Sequence, residues 1–180
     1  ALIGEAVIPF EYAGLTSGRV TRGLRPYGSP EFLLNSSSEY AEVLRKQGIV
    51  LSLEARKARI QEQVALLAAQ AGGRVPEDPA LLDEVANLIE APTALLGQFE
   101  RRYLDLPREV LVTVMRKKQR YFAVEDAQGN LLPYFITVRN GDDQHLKTVA
   151  DGNEQVLRAR FADAAYFVKR DRQHRLEEFV

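Results

Sequence analysis

The segment from Ser52 to Ala71 constrains the fold most. Ile60, Val64, Leu67 and Ala71 fall at i, i+4, i+7 and i+11, one apolar stripe at the 3.6-residue period of a helix. Ser52 stands where an N-cap is needed, and Gly72-Gly73 ends the run. A helix of this kind must bury its stripe against another layer, so the rest of the chain has to supply one. A second amphipathic helix is expected after Asp78-Pro79, a cap followed by proline at the first helical position, with Leu81, Val85 and Leu88 inward and Leu82 and Ile89 alongside. Pro92 closes it, and Thr93 to Leu96 reads as a buried strand.

Strand signals lie around these helices. Val7 to Phe10 and Arg19 to Thr21 read as short strands joined by a turn at Gly14 to Gly18, and Phe32 to Leu34 as another. Asn35-Ser-Ser-Ser38 offers caps for a helix starting near Glu39 and stopping at Gly48, with Ile49 to Leu51 as a short buried strand or connector. Pro107 opens a helix carrying Val110, Leu111 and Val114. Tyr121 to Val124 and Leu132 to Val138 pair as a hairpin around Asp126 to Asn130. A last helix runs from about Lys147 to His174 with Leu157, Phe161, Ala164 and Val168 on one face. No βαβ rhythm appears. The expected class is one α+β domain over residues 1–180, with a mixed or antiparallel sheet packed by several helices. Its buried set is Ile60, Val64, Leu67, Val85, Leu88, Val114, Phe135, Leu157 and Phe161.

Composition narrows the chemistry. With 46% apolar and 27% charged residues the chain has the make-up of a globular domain, and no apolar run approaches a membrane span. The formal net charge of −1 argues against coating nucleic acid, so any RNA contact must come from a local patch. The absence of cysteine removes disulfides, thiolate zinc sites and cysteine nucleophiles, and suits a reducing compartment. The glycines from Gly14 to Gly23 match no nucleotide fingerprint. Asp142-Asp143-Gln144-His145 suggests a metal cluster at first sight, but these aspartates fit better as caps of the following helix or as solvated groups, and the only other histidine is His174. No serine sits in a nucleophile elbow, and Glu90 and Glu100 are isolated carboxylates. Of Arg158 and Arg160, two apart on a helix, one is expected to face a carboxylate of the domain and the other solvent or a partner. No catalytic or metal residue is assigned.

One local patch stands out. Arg116, Lys117, Lys118 and Arg120 form a cationic run without an acid, followed by Tyr121-Phe122. Such a run can contact phosphates, and a neighbouring aromatic can stack on a base. It can equally be a basic helix end that complements the helix dipole. Arg19, Arg22 and Arg25 make a second, looser set able to hold a phosphate.

Several short motifs in order carry a resemblance. They are Tyr12-Ala-Gly-Leu-Thr-Ser-Gly-Arg-Val-Thr-Arg-Gly23, Glu90-Ala-Pro-Thr-Ala-Leu-Leu-Gly-Gln-Phe99, Leu106-Pro-Arg-Glu-Val-Leu111, Gln119-Arg-Tyr-Phe122, Leu132-Pro-Tyr-Phe135 and Gly152-Asn-Glu…Val156-Leu-Arg-Ala-Arg160. Together they span nearly all of the chain, which resembles the β subunit of bacterial heterotetrameric glycyl-tRNA synthetase. Where that family more often has Gly-His-Arg, this chain has Gly23-Leu24-Arg25, and acidic or histidine residues are common there in place of Lys117 or Lys118. The family's histidine–aspartate module has no counterpart, since no His-Asp dipeptide occurs.

The resemblance implies an internal fragment of a longer cytoplasmic β subunit, in keeping with Met115 as the only methionine. It implies an α subunit that holds the ATP and glycine site, a β subunit that binds glycine-specific tRNA, and ATP and magnesium as needs of the complete enzyme, with no cofactor in this chain. It further suggests a fold similar to the editing module of the phenylalanyl-tRNA synthetase β subunit. Three functions follow: a non-catalytic module supporting tRNA binding and assembly, a hydrolytic editing-like domain acting on mischarged tRNA, or a scaffold packed against the α subunit and the remaining β-subunit domains. Editing is the least motivated, because glycine is the smallest amino acid and larger ones can be excluded sterically.

Overall fold

In the computed structural model, which describes residues 1–173, helices enclose a small antiparallel sheet and a series of hairpins precedes it. Three hairpins come first: β1 (Leu2–Ile3) with β2 (Ala6–Val7), β3 (Glu11–Tyr12) with β4 (Leu15–Thr16), and β5 (Val20–Arg22) with β6 (Glu31–Leu33). This corrects the expected pairing across Gly14 to Gly18. The tight turn is Ala13-Gly14, with φ of 52° and 75°, and Leu15–Thr16 is itself a strand. Two-residue strands are too short to display a period-2 pattern, which is why the sequence did not reveal them.

Ser37–Glu39 forms one 3-10 turn whose preceding Ser36 side chain accepts the Ser38 amide. It runs into α1 (Tyr40–Lys46), which stops before Gly48 in the left-handed region. Ile49 to Leu51 is a connector, with Ile49 buried and Leu51 exposed. Helix α2 (Leu53–Gln70) begins at the Ser52 cap, where Ser52 Oγ accepts the Ala55 amide at 3.2 Å. Its inward stripe is Ile60, Val64 and Ala68, leaving Leu67 half-buried at the margin.

Helix α3 (Pro79–Leu88) starts as expected, with Asp78 Oδ1 accepting the Leu81 amide at 2.9 Å. It ends earlier than Pro92 requires. Ile89 is already extended and turns its side chain into the core, so Leu88 is 62% exposed, contrary to its expected burial. Pro92 instead opens β7 (Pro92–Gln98), a position where a missing N–H is tolerated. A 3-10 turn at Arg101–Asp105 precedes α4 (Arg108–Thr113), which passes directly into a π-turn at Val114–Gln119. Val114 is only partly buried, and the neighbouring Met115 takes the interior position.

Strand β8 (Phe122–Glu125) and β9 (Leu131–Asn140) form the expected hairpin. The sheet order is β7-β9-β8 and every pairing is antiparallel. Helix α5 (Leu146–Asp171) follows. Its expected continuation to His174 lies outside the described residues.

The central strand is buried on both faces. Ile136 joins Ile60, Val64, Val85 and Phe122 under α2 and α3. Its neighbour Phe135 joins Tyr103, Leu111, Met115, Leu157 and Phe161 under α4 and α5. Phe135, Ile136, Leu157 and Phe161 are all 0% exposed. Phe161 packs edge-on against Phe99 at 5.0 Å between ring centroids. A third cluster of Leu24, Leu44, Ile49 and Ala91 ties the N-terminal part to the start of β7. There the Asp142 amide also donates to the Tyr27 hydroxyl at 2.7 Å.

Gly97 lies opposite Phe135 in the β7–β9 register, and a Cβ there would come within 2.3 Å of the ring. Gly97→Ala should therefore destabilise by about 1–3 kcal/mol through overpacking, and Phe161→Ala by about 3–5 kcal/mol through cavity formation. Leu88→Ala should stay within about 0.5 kcal/mol. Urea unfolding of the three variants checks the ranking, and a large loss at Leu88 with none at Gly97 would contradict this packing.

Candidate nucleic-acid interface

The cationic run lies beside α3 on the π-turn, and the fold divides it. The Arg116 guanidinium clasps Asp78, with Nη2 donating to Oδ1 at 3.1 Å and Nε to Oδ2. Arg120 pairs with Glu84 one and a half turns further along α3. Lys117 and Lys118 are exposed, and neither has an ion-pair partner among the described residues. Two of the four cations are thus neutralised within the fold, and the two lysines between them face solvent.

The backbone explains this presentation. Met115 is fully buried and anchors the π-turn from inside. Arg120 ends the turn in the left-handed region at φ 58°, while the Tyr121 amide donates to the Met115 carbonyl at 2.9 Å. A non-glycine residue in this region carries strain, and π-turns and such strain both recur at functional sites.

The aromatic pair is not available to a base, contrary to the stacking role considered from sequence. Tyr121 and Phe122 are 4% and 5% exposed. Tyr121 stacks on Phe135 at 4.6 Å and its hydroxyl donates to Asn153 Oδ1 at 2.6 Å. Burial pushes its pKa up to about 12. These rings hold the π-turn to the core instead.

Among the described residues, the second set shares no hydrogen-bond or ion-pair partner with the first. Arg19 donates to the carbonyls of Glu5 and Leu34, and Arg22 pairs with Glu31 at 2.6 Å. Both are engaged within the hairpins. Arg25 is exposed in the short 3-10 turn Arg25–Tyr27.

One cation escaped the sequence reading. Arg108, at the start of α4, pairs with the buried Glu125 and lines the same cavity of about 120 Å³ as Arg116 and Asp78. It lies eight positions before Arg116, at the start of α4, and α4 with the π-turn brings it alongside the basic run. Elsewhere, Arg158 pairs with Glu100 at 3.3 Å while Arg160 is exposed, as its spacing predicts. Asp142 accepts the Gln144 amide at 3.1 Å, closing a turn and not capping α5, and His145 occupies the cap position at φ 57°. A concavity of about 620 Å³ lies between α2 and the segment Gly73–Pro79, lined in part by Ile60, Val64, Val75, Leu82 and Phe122. No helix among the described residues is long and apolar enough to cross a membrane.

Comparison with known proteins places this arrangement. The family model described as glycyl-tRNA synthetase beta subunit matches residues 1–180. The glycine–tRNA ligase beta subunits of Desulfitobacterium hafniense and Bacillus subtilis are each 48% identical over 180 residues, the whole of this chain and 26% of theirs. That of Moorella thermoacetica is 49% identical over 173 residues, 96% of this chain and 25% of its own. The chain belongs to the glycyl-tRNA synthetase beta subunit family, a family of aminoacyl-tRNA synthetase components, and spans about a quarter of the length of these curated relatives.

The Asp78–Arg116 pair makes a pH prediction. Arg116, first of all, holds the Asp78 carboxyl below its usual range. A depressed pKa contributes stability that is present above the unfolded value of about 3.9 and is lost as pH falls through the folded value. Asp78→Ala should cost about 0.5–2 kcal/mol at neutral pH through the lost cap. Asp78→Asn keeps a cap acceptor, so it should cost less and flatten the loss of stability below about pH 4. Unfolding midpoints between pH 2 and 7 check this, and parallel acid profiles for the Asn variant and the parent would remove the pair from the account.

Proposed function

We propose that this chain is a non-catalytic region of a cytoplasmic glycyl-tRNA synthetase β subunit, a single α+β domain that supports tRNA binding and assembly. The observation that carries the reading is the exposed Lys117-Lys118 pair, without an ion-pair partner among the described residues, on a strained π-turn within a chain that matches the family from end to end. In this reading the complete enzyme joins glycine to its tRNA with ATP and magnesium. The α subunit carries that chemistry, and the β-subunit region contributes surface. The likeness of fold to the editing module of the phenylalanyl-tRNA synthetase β subunit belongs to the same proposal, without its hydrolytic role.

RNA contact through this patch is electrostatic. Each phosphate neutralised releases counterions, so two free lysines flanked by Arg116, Arg120 and Arg108 can hold a backbone despite the net charge of −1. With Tyr121 and Phe122 buried, bases are not read here by stacking, and recognition follows shape and phosphate position. Arg25 is the member of the second set best placed to add a contact, being exposed and without an ion-pair partner among the described residues.

Lys117→Ala with Lys118→Ala should weaken tRNA binding by the β subunit and reduce the slope of log affinity against log salt by about one to two units. Glu84→Gln releases Arg120 and should shift binding the other way, tighter and with a steeper slope. Fluorescence anisotropy at several salt concentrations checks both. Identical affinity and slope in the lysine variant and the parent would exclude this patch as an RNA site.

A further inference from the structure

The first hairpins carry apolar side chains that no other described residue buries. No residue from Ala1 to Thr21 is buried. Ile3, Phe10, Tyr12 and Leu15 are 70%, 51%, 78% and 74% exposed. The strand registers sharpen the pattern, because each hairpin places an apolar pair directly across its two strands: Ile3 with Ala6, Tyr12 with Leu15, and Val20 with Leu33. All six of these residues are exposed. Cross-strand apolar pairs stabilise a hairpin when they meet a covering layer, and two-stranded ribbons without one are marginal.

The hairpins are nevertheless built for definite positions. Gly4 exchanges hydrogen bonds with Ser37, donating to its Oγ and accepting from its amide. Arg19 grips the Glu5 carbonyl, and Ser17 ties the second hairpin to the carbonyl of Ile8. Polar contacts thus hold an apolar surface outward, an arrangement that marks an interaction site. Its chemistry selects the partner. Residues 1–18 contain two carboxylates and no lysine or arginine, and Arg19 and Arg22 beside Val20 are already held by the Glu5 and Leu34 carbonyls and by Glu31, an arrangement poor in free cations for phosphate. The exposed edges also lack the lysines that guard free strands against other proteins.

The occupant follows from length. The family members that match this chain end to end are about four times as long, so most of such a subunit lies outside these residues. We infer that the hairpins bearing the exposed Ile3, Tyr12, Leu15, Val20 and Leu33 are an intrasubunit docking surface, covered by another part of the same β-subunit polypeptide. This rests on the reading that the chain is a region of a longer subunit, and is independent of where tRNA binds.

Hydroxyl-radical footprinting of the full-length β subunit tests it, with the urea-unfolded subunit as reference. In the subunit alone, without α subunit or tRNA, Tyr12 and Leu15 should be oxidised at least tenfold more slowly than in urea. The exposures seen here would by themselves give no more than about a twofold change. Unprotected side chains in the lone subunit overturn the proposal. So does protection that appears only on adding the α subunit, only on adding tRNA, or only as subunit concentration rises, since each names a different occupant. Tyr12→Ser with Leu15→Ser should lower the urea midpoint of the full subunit while leaving the salt slope of tRNA binding unchanged. An altered footprint with an unaltered slope separates this surface from the lysine patch.

Discussion

Phe135 and Ile136 are consecutive residues on the middle strand of a three-stranded sheet, and both are wholly excluded from solvent. Successive side chains of a strand point to opposite faces, so this dipeptide obliges the chain to build a layer on each side. Helices α2 and α3 supply one and α4, the π-turn and α5 the other. The ring of Phe135 needs the missing side chain of Gly97 across the ladder and a flat neighbour in Tyr121. Tyr121 in turn fixes the exit of the π-turn. The position of the surface lysines is therefore set by the centre of the sheet, through the Tyr121–Phe135 stack and the Tyr121 amide bond to Met115.

The parts legible in the sequence were those governed by local rules. Ser52 and Asp78 mark helix starts because each offers a side-chain oxygen to amides within one turn. The β8–β9 hairpin is announced by two apolar strands around a polar loop. Failures arose where distant contacts decide. Leu88 fits the helical stripe of α3, but the chain leaves the helix there and Ile89 takes the buried place. The early hairpins have no inward face, so their residues show no alternation to read. At the basic patch, sequence located the cations but not their state: Asp78 and Glu84 are some forty residues away, and only the docking of α3 brings them against Arg116 and Arg120.

Pairing changes what the patch is. A run of four cations would bind polyanions broadly. With Arg116 and Arg120 held by acids on or capping a neighbouring helix, the free charge is confined to Lys117 and Lys118 between them. Both neighbours also serve the fold, since Asp78 caps α3 while clasping Arg116. The cationic surface and the start of α3 are thus coupled through one carboxylate.

Arg120 has a consequence for how this region tolerates change. A side chain in the left-handed region costs about 1–2 kcal/mol relative to glycine, whereas a half-exposed ion pair such as that with Glu84 returns about 0–1 kcal/mol. Judged by folding free energy alone, glycine is the better occupant of position 120. A library of variants sorted for thermal resistance would thus drift toward discarding this cation, and with it the pair to Glu84. The position is a point at which robustness and charge pull the same codon in opposite directions.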